Sequence, residues 1–189
     1  PLSMVMGYAA QMEGAADLPL ERRKQAGIIR AQSQAIRDLV NDLNLTMRLD
    51  CAMQALRKES LQLEAFLRQI AADFLNGGLG DGFDLEMDLP EEPLPKIQAD
   101  PFLLRRAVNN LLTNCVRHNA PGCSICLGAR AEGKSVVLFV EGGAAAGIPA
   151  AADPTRQLES DGGAAHGTGL KLVSQIAAAH GGEARFYGG

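Results

Sequence analysis

Tryptophan is missing from the chain and aromatic residues supply only 4% of its 189 positions, so any core must be aliphatic, with Leu and Ala dominant. No stretch of about eighteen apolar residues occurs and no signal-peptide pattern opens the chain, so no membrane-spanning helix is expected. Charge of one sign is never in large excess. The 18 Lys and Arg stand against 22 Asp and Glu, a net charge of −4, which argues against a nucleic-acid coat. Cysteine is scarce as well. Of Cys51, Cys115, Cys123 and Cys126, only the last two have C-x-x-C spacing, and a structural zinc site takes four ligands. Their segment reads as a strand, which sends the two sulfurs to opposite faces, so reduced thiols are expected. Histidine is limited to His118, His166 and His180. What the chain does have is 47% hydrophobic and 21% charged content, which suits a packed domain. It opens on Pro1 rather than Met and reads as a piece of something longer.

Periodicity divides the chain into a helical part and a mixed part. Leu2, Val5, Met6 and Ala9 mark a first helical face, and Gly14 to Pro19 a turn. Over residues 20–49, Ile29, Ile36 and Leu43 recur at heptad spacing, as do Val40 and Met47, with Leu39 alongside. That is the seam of a coiled coil or bundle. A bare hairpin cannot bury such a seam, so self-association is expected, unless the remainder of the chain covers it. Residues 50–58 read as a linker. After it come a short strand at Leu61 to Leu63, a helix through Leu67, Ile70, Ala71 and Phe74, and a strand from Phe83 to Leu89. Lys96 to Gln98 suggests another short strand, and Asp100-Pro101 a capped helix start. Cys123 to Ala129 and Ser135 to Glu141 read as strands around a turn at Glu132-Gly133-Lys134. Gly142 to Gly147 reads as a loop of small residues, and Pro149 to Ala165, without apolar period, as a lid. A helix from Gly169 to Ala179 closes at His180-Gly181-Gly182, and Glu183 to Tyr187 reads as a final strand. The expected fold class is α+β: a helical hairpin over 1–52, then a two-layer α/β sandwich over 58–189.

Two stretches carry candidate chemistry. The first is the helix around Arg105 to Asn119, whose apolar face is drawn by Leu104, Val108, Leu111, Leu112 and Cys115. Asn110 and Asn114, four residues apart, stack on a neighbouring face. Asn is a mediocre helix former. Two stacked amides are either exposed decoration on an amphipathic helix, or oxygens for a hydrated Mg²⁺ and its phosphates. Arg117, one turn on, offers a guanidinium to a phosphate. The second is His166-Gly167-Thr168-Gly169-Leu170-Lys171, a Gly-rich turn feeding a helix, itself an anion-binding arrangement.

These stretches resemble the N box and the G2 box of bacterial sensor histidine kinases, whose ATP-binding fold is shared with gyrase B and MutL. Pro1-Leu2-Ser3 to Tyr8 likewise resembles the segment just after the phosphoacceptor histidine in the dimerisation hairpin of those kinases, with that histidine itself falling before Pro1. The resemblance covers essentially the whole chain. It implies ATP and Mg²⁺ as cofactors, with Asn114 on the metal and Asn110 supporting the metal–phosphate site. It places Arg117 on phosphate and the ring of His118 beside adenine, where His118 otherwise reads as a helix-end histidine. Gly167, Gly169 and Leu170 match the G2 box, although Ala165 and Thr168 depart from it, and Gly147 with Ile148-Pro149 matches the end of the G1 box. It further implies a homodimer through the hairpin, a cognate response regulator as partner, no nucleic acid, and a cytoplasmic portion of a membrane-anchored sensor.

The G1 box departs most. The family carries an Asp there that accepts from the adenine amino group, and here Gly142 stands in its place, in a loop one residue too long. Glu141 would substitute only through a one-residue slip, and a slip turns a strand side chain to the other face. No catalytic residue is named on these grounds. Two readings remain: a kinase core that moves the γ-phosphoryl group of Mg-ATP to a histidine, or a pseudokinase-like dimeric module with weak nucleotide binding. An unrelated ATPase of the same superfamily fits the Pro-Leu-Ser hairpin poorly.

Overall fold

The computed structural model of the protein describes residues 1–50, 55–78, 80–143 and 167–187. It falls into two compact units, Pro1–Arg48 and Leu49–Gly189.

The first unit holds helix α1 (Leu2–Gly14) and most of helix α2 (Leu20–Asp50). Pro19 offers its carbonyl to Arg22 and Arg23, which starts α2. Glu21 in the first turn and Arg48 in the last both complement the helix dipole. Glu13 at the end of α1 accepts from Arg30 of α2 at 2.6 Å and ties the two helices. The apolar seam of α2 is about half exposed among the described residues: Ile29, Ile36 and Leu43 are 47%, 50% and 53% exposed.

The second unit is built from strand β1 (Glu59–Leu61), helix α3 (Leu63–Asn76), strands β2 (Asp84–Asp88) and β3 (Ile97–Ala99), helix α4 (Pro101–His118), strands β4 (Ser124–Glu132) and β5 (Ser135–Gly142), and helix α5 (Gly167–Ala179). A three-stranded sheet runs β2-β4-β5, with β2 parallel to β4 and β5 antiparallel to it. β1 and β3 form a separate antiparallel pair. Strand alternation sets the faces. Ile125, Leu127 and Ala129 are buried under α3 and α4, while Cys126, Gly128 and Arg130 point the other way. On α3, Leu63, Phe66, Leu67, Ile70, Ala71 and Phe74 are all buried at helical spacing, which makes this helix the centre of the core. A fully buried Leu there contributes about 1.5–3 kcal/mol.

Asp100 is a knot as well as a cap. Its carboxylate accepts from the backbone N–H groups of Phe102 and Leu103, and also from that of Arg57 at 2.9 Å. Its own N–H donates to Nε2 of His180 at 2.9 Å, so the imidazole proton sits on Nδ1, which donates to the Ile176 carbonyl. The start of α4, the end of α5 and the approach to β1 are thereby fixed together. β4 and β5 meet in a two-residue turn, Gly133-Lys134, where Gly133 takes φ 62°.

Three expectations are corrected. The short strand ends at Leu61, and Leu63, fully buried, already opens α3. On α4 it is Leu103, with Ala107, Val108 and Leu112, that is fully enclosed, whereas Leu104, Leu111 and Cys115 are half-buried, because the helix is covered by α5 as well as by the sheet. Glu183 to Tyr187 keeps a strand-like alternation, with Ala184 and Phe186 half-buried, but only Tyr187 makes a bridge. Alternation reports which face is covered; a strand also needs a neighbour to complete its ladder. No described helix is long and apolar enough to cross a membrane.

Candidate functional site

Helix α4 places its amides by rules already visible in its backbone. Its apolar residues face α5 and the sheet, which leaves Asn110 and Asn114 half-buried along the strip between. Nδ2 of Asn110 donates to the Arg106 carbonyl one turn back at 3.0 Å. A carbonyl oxygen only accepts, so this bond fixes the amide with Oδ1 pointing outward. What Oδ1 meets is Gly169. A Cβ built on Gly169 would lie 2.9 Å from Asn110 Oδ1, so α5 approaches α4 closely enough that any larger residue would displace the amide. The two stretches singled out in the sequence, far apart along the chain, therefore touch. Asn114 lies one turn further on, and its carboxamide makes no hydrogen bond among the described residues. Arg117 and His118 are exposed on the last turn.

At the far end of α4 the chain leaves the helix through Asn119, whose backbone is extended. Its Nδ2 donates to the Cys115 carbonyl at 2.8 Å, the same device as at Asn110. The exit of β5 packs against this end. A Cβ on Gly142 would fall 2.4 Å from Asn119 Nδ2, and one on Gly143 would fall 2.5 Å from Ser124 Oγ. Gly143 also donates its N–H to the Ser124 carbonyl at 2.7 Å. Glycine occurs twice at this point because two neighbouring side chains occupy the space.

Register decides between Gly142 and Glu141. Gly142 pairs with Ile125, fully buried, and so faces the helices; Glu141 pairs with Cys126 on the opposite, outer face. The Cys126 thiol is pushed up by burial first, and then by the charges of Asp88, Glu141 and Glu86. Glu141 thus belongs to an acidic row on the outer face, away from the amides of α4.

Gly147 lies outside the described residues. Gly167 opens α5, and Leu170, half-buried, comes directly after Gly169 in its first turn. The structure brings together Asn110 and Gly169, keeps Asn114 on the same strip, and sets Arg117 and His118 at its end. Asn119 was not singled out by sequence reasoning; the signal was the glycine pair Gly142-Gly143 ending a strand where a side chain is expected. Among the described residues, no three His, Cys, Asp or Glu side chains converge on a metal-sized point. A cation held at this strip would take amide oxygen from Asn114, phosphate oxygens and water, which suits Mg²⁺. A half-buried amide without a hydrogen-bond partner among the described residues, beside the close approach of Gly169 to Asn110, fits a metal–phosphate group.

A two-layer α/β domain whose helical layer carries stacked amides against a Gly-rich helix start defines a class of nucleotide-binding domains. Residues 99–188 match the family described as histidine kinase-, DNA gyrase B-, and HSP90-like ATPase. The chain is 34% identical over 174 residues to the alginate biosynthesis sensor protein KinB of Pseudomonas aeruginosa, covering 88% of this chain and 29% of that protein. It is 32% identical over 127 residues to the sensor histidine kinase YvrG of Bacillus subtilis, covering 66% of this chain and 22% of that protein. Full-length ShkA, solved in complex with AMPPNP, superposes with a TM-score of 0.67 at 27% identity, over 96% of this chain and 38% of that one. The chain belongs to the sensor histidine kinases and carries their ATPase domain. It spans under a third of the length of the curated relatives just named.

Proposed function

We propose that this chain is the core of a two-component sensor kinase that binds Mg-ATP at α4 and the start of α5. The contact of Asn110 with Gly169 carries the reading, because it joins the amide helix and the Gly-rich turn at one point. Bound Mg-ATP supplies the γ-phosphoryl group that passes to a histidine. The chain's own residues position and neutralise, as in other phosphoryl transfers. Asn114 offers its oxygen to the metal, Asn110 braces the first turn of α5 at Gly169, and Arg117 meets phosphate charge. His118 packs beside the purine. In this reading residues 1–52 serve dimerisation, through the half-exposed seam of α2, and 58–189 serve nucleotide binding. A response regulator receives the phosphoryl group.

The pseudokinase-like reading rests on Gly142, which offers no side-chain acceptor to adenine. Calorimetric titration with Mg-ATP separates the two. The kinase reading expects saturable binding that weakens when Mg²⁺ is chelated, and an Asn114→Ala variant that folds normally but has lost this Mg²⁺ dependence. Absence of binding in the parent favours the pseudokinase. An unchanged Mg²⁺ response in the variant makes Asn114 a surface amide.

A further inference from the structure

We infer that Asn119 reads the amino edge of the purine in this chain, standing in for the carboxylate that position 142 lacks; the inference rests on the nucleotide-binding reading above. The first observation is one of volume. The direction in which a side chain would leave Gly142 runs straight into the Asn119 carboxamide, with Nδ2, Cγ and Oδ1 at 2.4, 3.0 and 3.1 Å from the built Cβ. The amide of one residue fills the side-chain space of the other. The second is orientation. Because Nδ2 is spent on the Cys115 carbonyl at 2.8 Å, Oδ1 is the free end. It has no hydrogen-bond partner among the described residues. The third is exclusion. The neighbouring carboxylate, Glu141, is registered on the outer face with Cys126.

An oxygen fixed in this way is an acceptor and cannot swap ends without losing its bond to the helix. It suits a purine carrying a 6-amino donor and opposes one carrying a 6-oxo group. The same geometry explains the glycine. A carboxylate placed at 142 alone would collide with the amide, so the substitution at 142 and the residue at 119 form one unit.

The test is a titration of the 189-residue chain with Mg-ATP, Mg-GTP and a Mg-triphosphate whose purine carries hydrogen in place of the 6-amino group. The parent should prefer ATP to both. Asn119→Ala should lower ATP affinity roughly two- to tenfold, the value of one neutral hydrogen bond, and leave the 6-hydrogen purine triphosphate unaffected, so that the preference collapses. Asn119→Ala combined with Gly142→Asp should restore the preference, because the carboxylate enters the vacated space. An Asn119→Ala variant that binds with its preference intact overturns the inference and leaves the nucleotide-binding reading standing. A parent that binds none of the three triphosphates overturns both. If circular dichroism shows the single variant to be unfolded, the double variant decides: equal binding of ATP and its 6-hydrogen analogue means this space does not face the purine.

Discussion

At the scale of residues the strip along α4 depends on which end of an amide is free. Asn110 and Asn119 each spend Nδ2 on a carbonyl one turn back in α4 and present Oδ1 outward. A helix thereby converts two ambivalent amides into oriented acceptors. Gly169→Ala tests the first of these. The added methyl group would sit 2.9 Å from Asn110 Oδ1, at the movable end of a side chain, so the fold should tolerate it. Mg-ATP affinity should fall roughly two- to tenfold as the amide is displaced, while the thermal midpoint stays put. A variant with unchanged affinity would mean that the contact of α5 with α4 is packing alone. The two stacked amides were legible in the sequence because spacing along a helix fixes a face. Asn119 was not, because what marks it is a missing Cβ on a strand far along the chain.

Elements are held by a few specific contacts, and two of them make predictions. Gly128 in β4 lies beneath Phe139 of β5, on which Arg130 stacks 5.2 Å from the ring centroid. A Cβ there would fall 2.2 Å from the Phe139 ring and 2.6 Å from the Asp88 backbone oxygen, and the backbone cannot retreat. Gly128→Ala should therefore destabilise by about 1–3 kcal/mol in denaturant unfolding, and an unmoved midpoint would contradict this. Glu64, in the first turn of α3, is held below the usual carboxylate range by backbone N–H groups, its own first and then that of Leu94. A depressed folded-state value gives stability that is present above about pH 4.3 and lost as pH falls through the folded value. Glu64→Gln should lose less stability than the parent between about pH 7 and pH 3, measured by urea unfolding; equal losses would rule out this clamp. Most elements were legible: α3, α4 and the β4–β5 hairpin can be read from apolar period and turn residues. The strand expected at Glu183 to Tyr187 failed because alternation carries no information about a pairing partner. The strand expected at Leu61 to Leu63 failed at its last two residues because Gln62 caps a helix that a buried Leu63 opens, and a single buried Leu fits a strand end and a helix start equally well.

For the molecule as a whole, the first unit carries a seam that the proposed dimer would cover. The seam through Ile29, Ile36 and Leu43 is roughly half exposed along α2, and in that proposal a second copy would supply an equivalent seam in a four-helix bundle. Ile36→Asp should shift the chain from dimer to monomer in sedimentation, since it buries an unpaired charge in that bundle; a monomeric parent at high micromolar concentration would contradict the arrangement. In the second unit, α4 and the start of α5 together are the proposed Mg-ATP site. Amide NMR of the uniformly labelled chain during an Mg-ATP titration tests it most directly. Saturable shifts are expected at Asn110, Asn114, Asn119, Gly142 and Gly169, with the acidic outer row of Glu86 and Glu141 little affected. Shifts confined to that outer face or to α2, or no shifts at millimolar Mg-ATP, would contradict it.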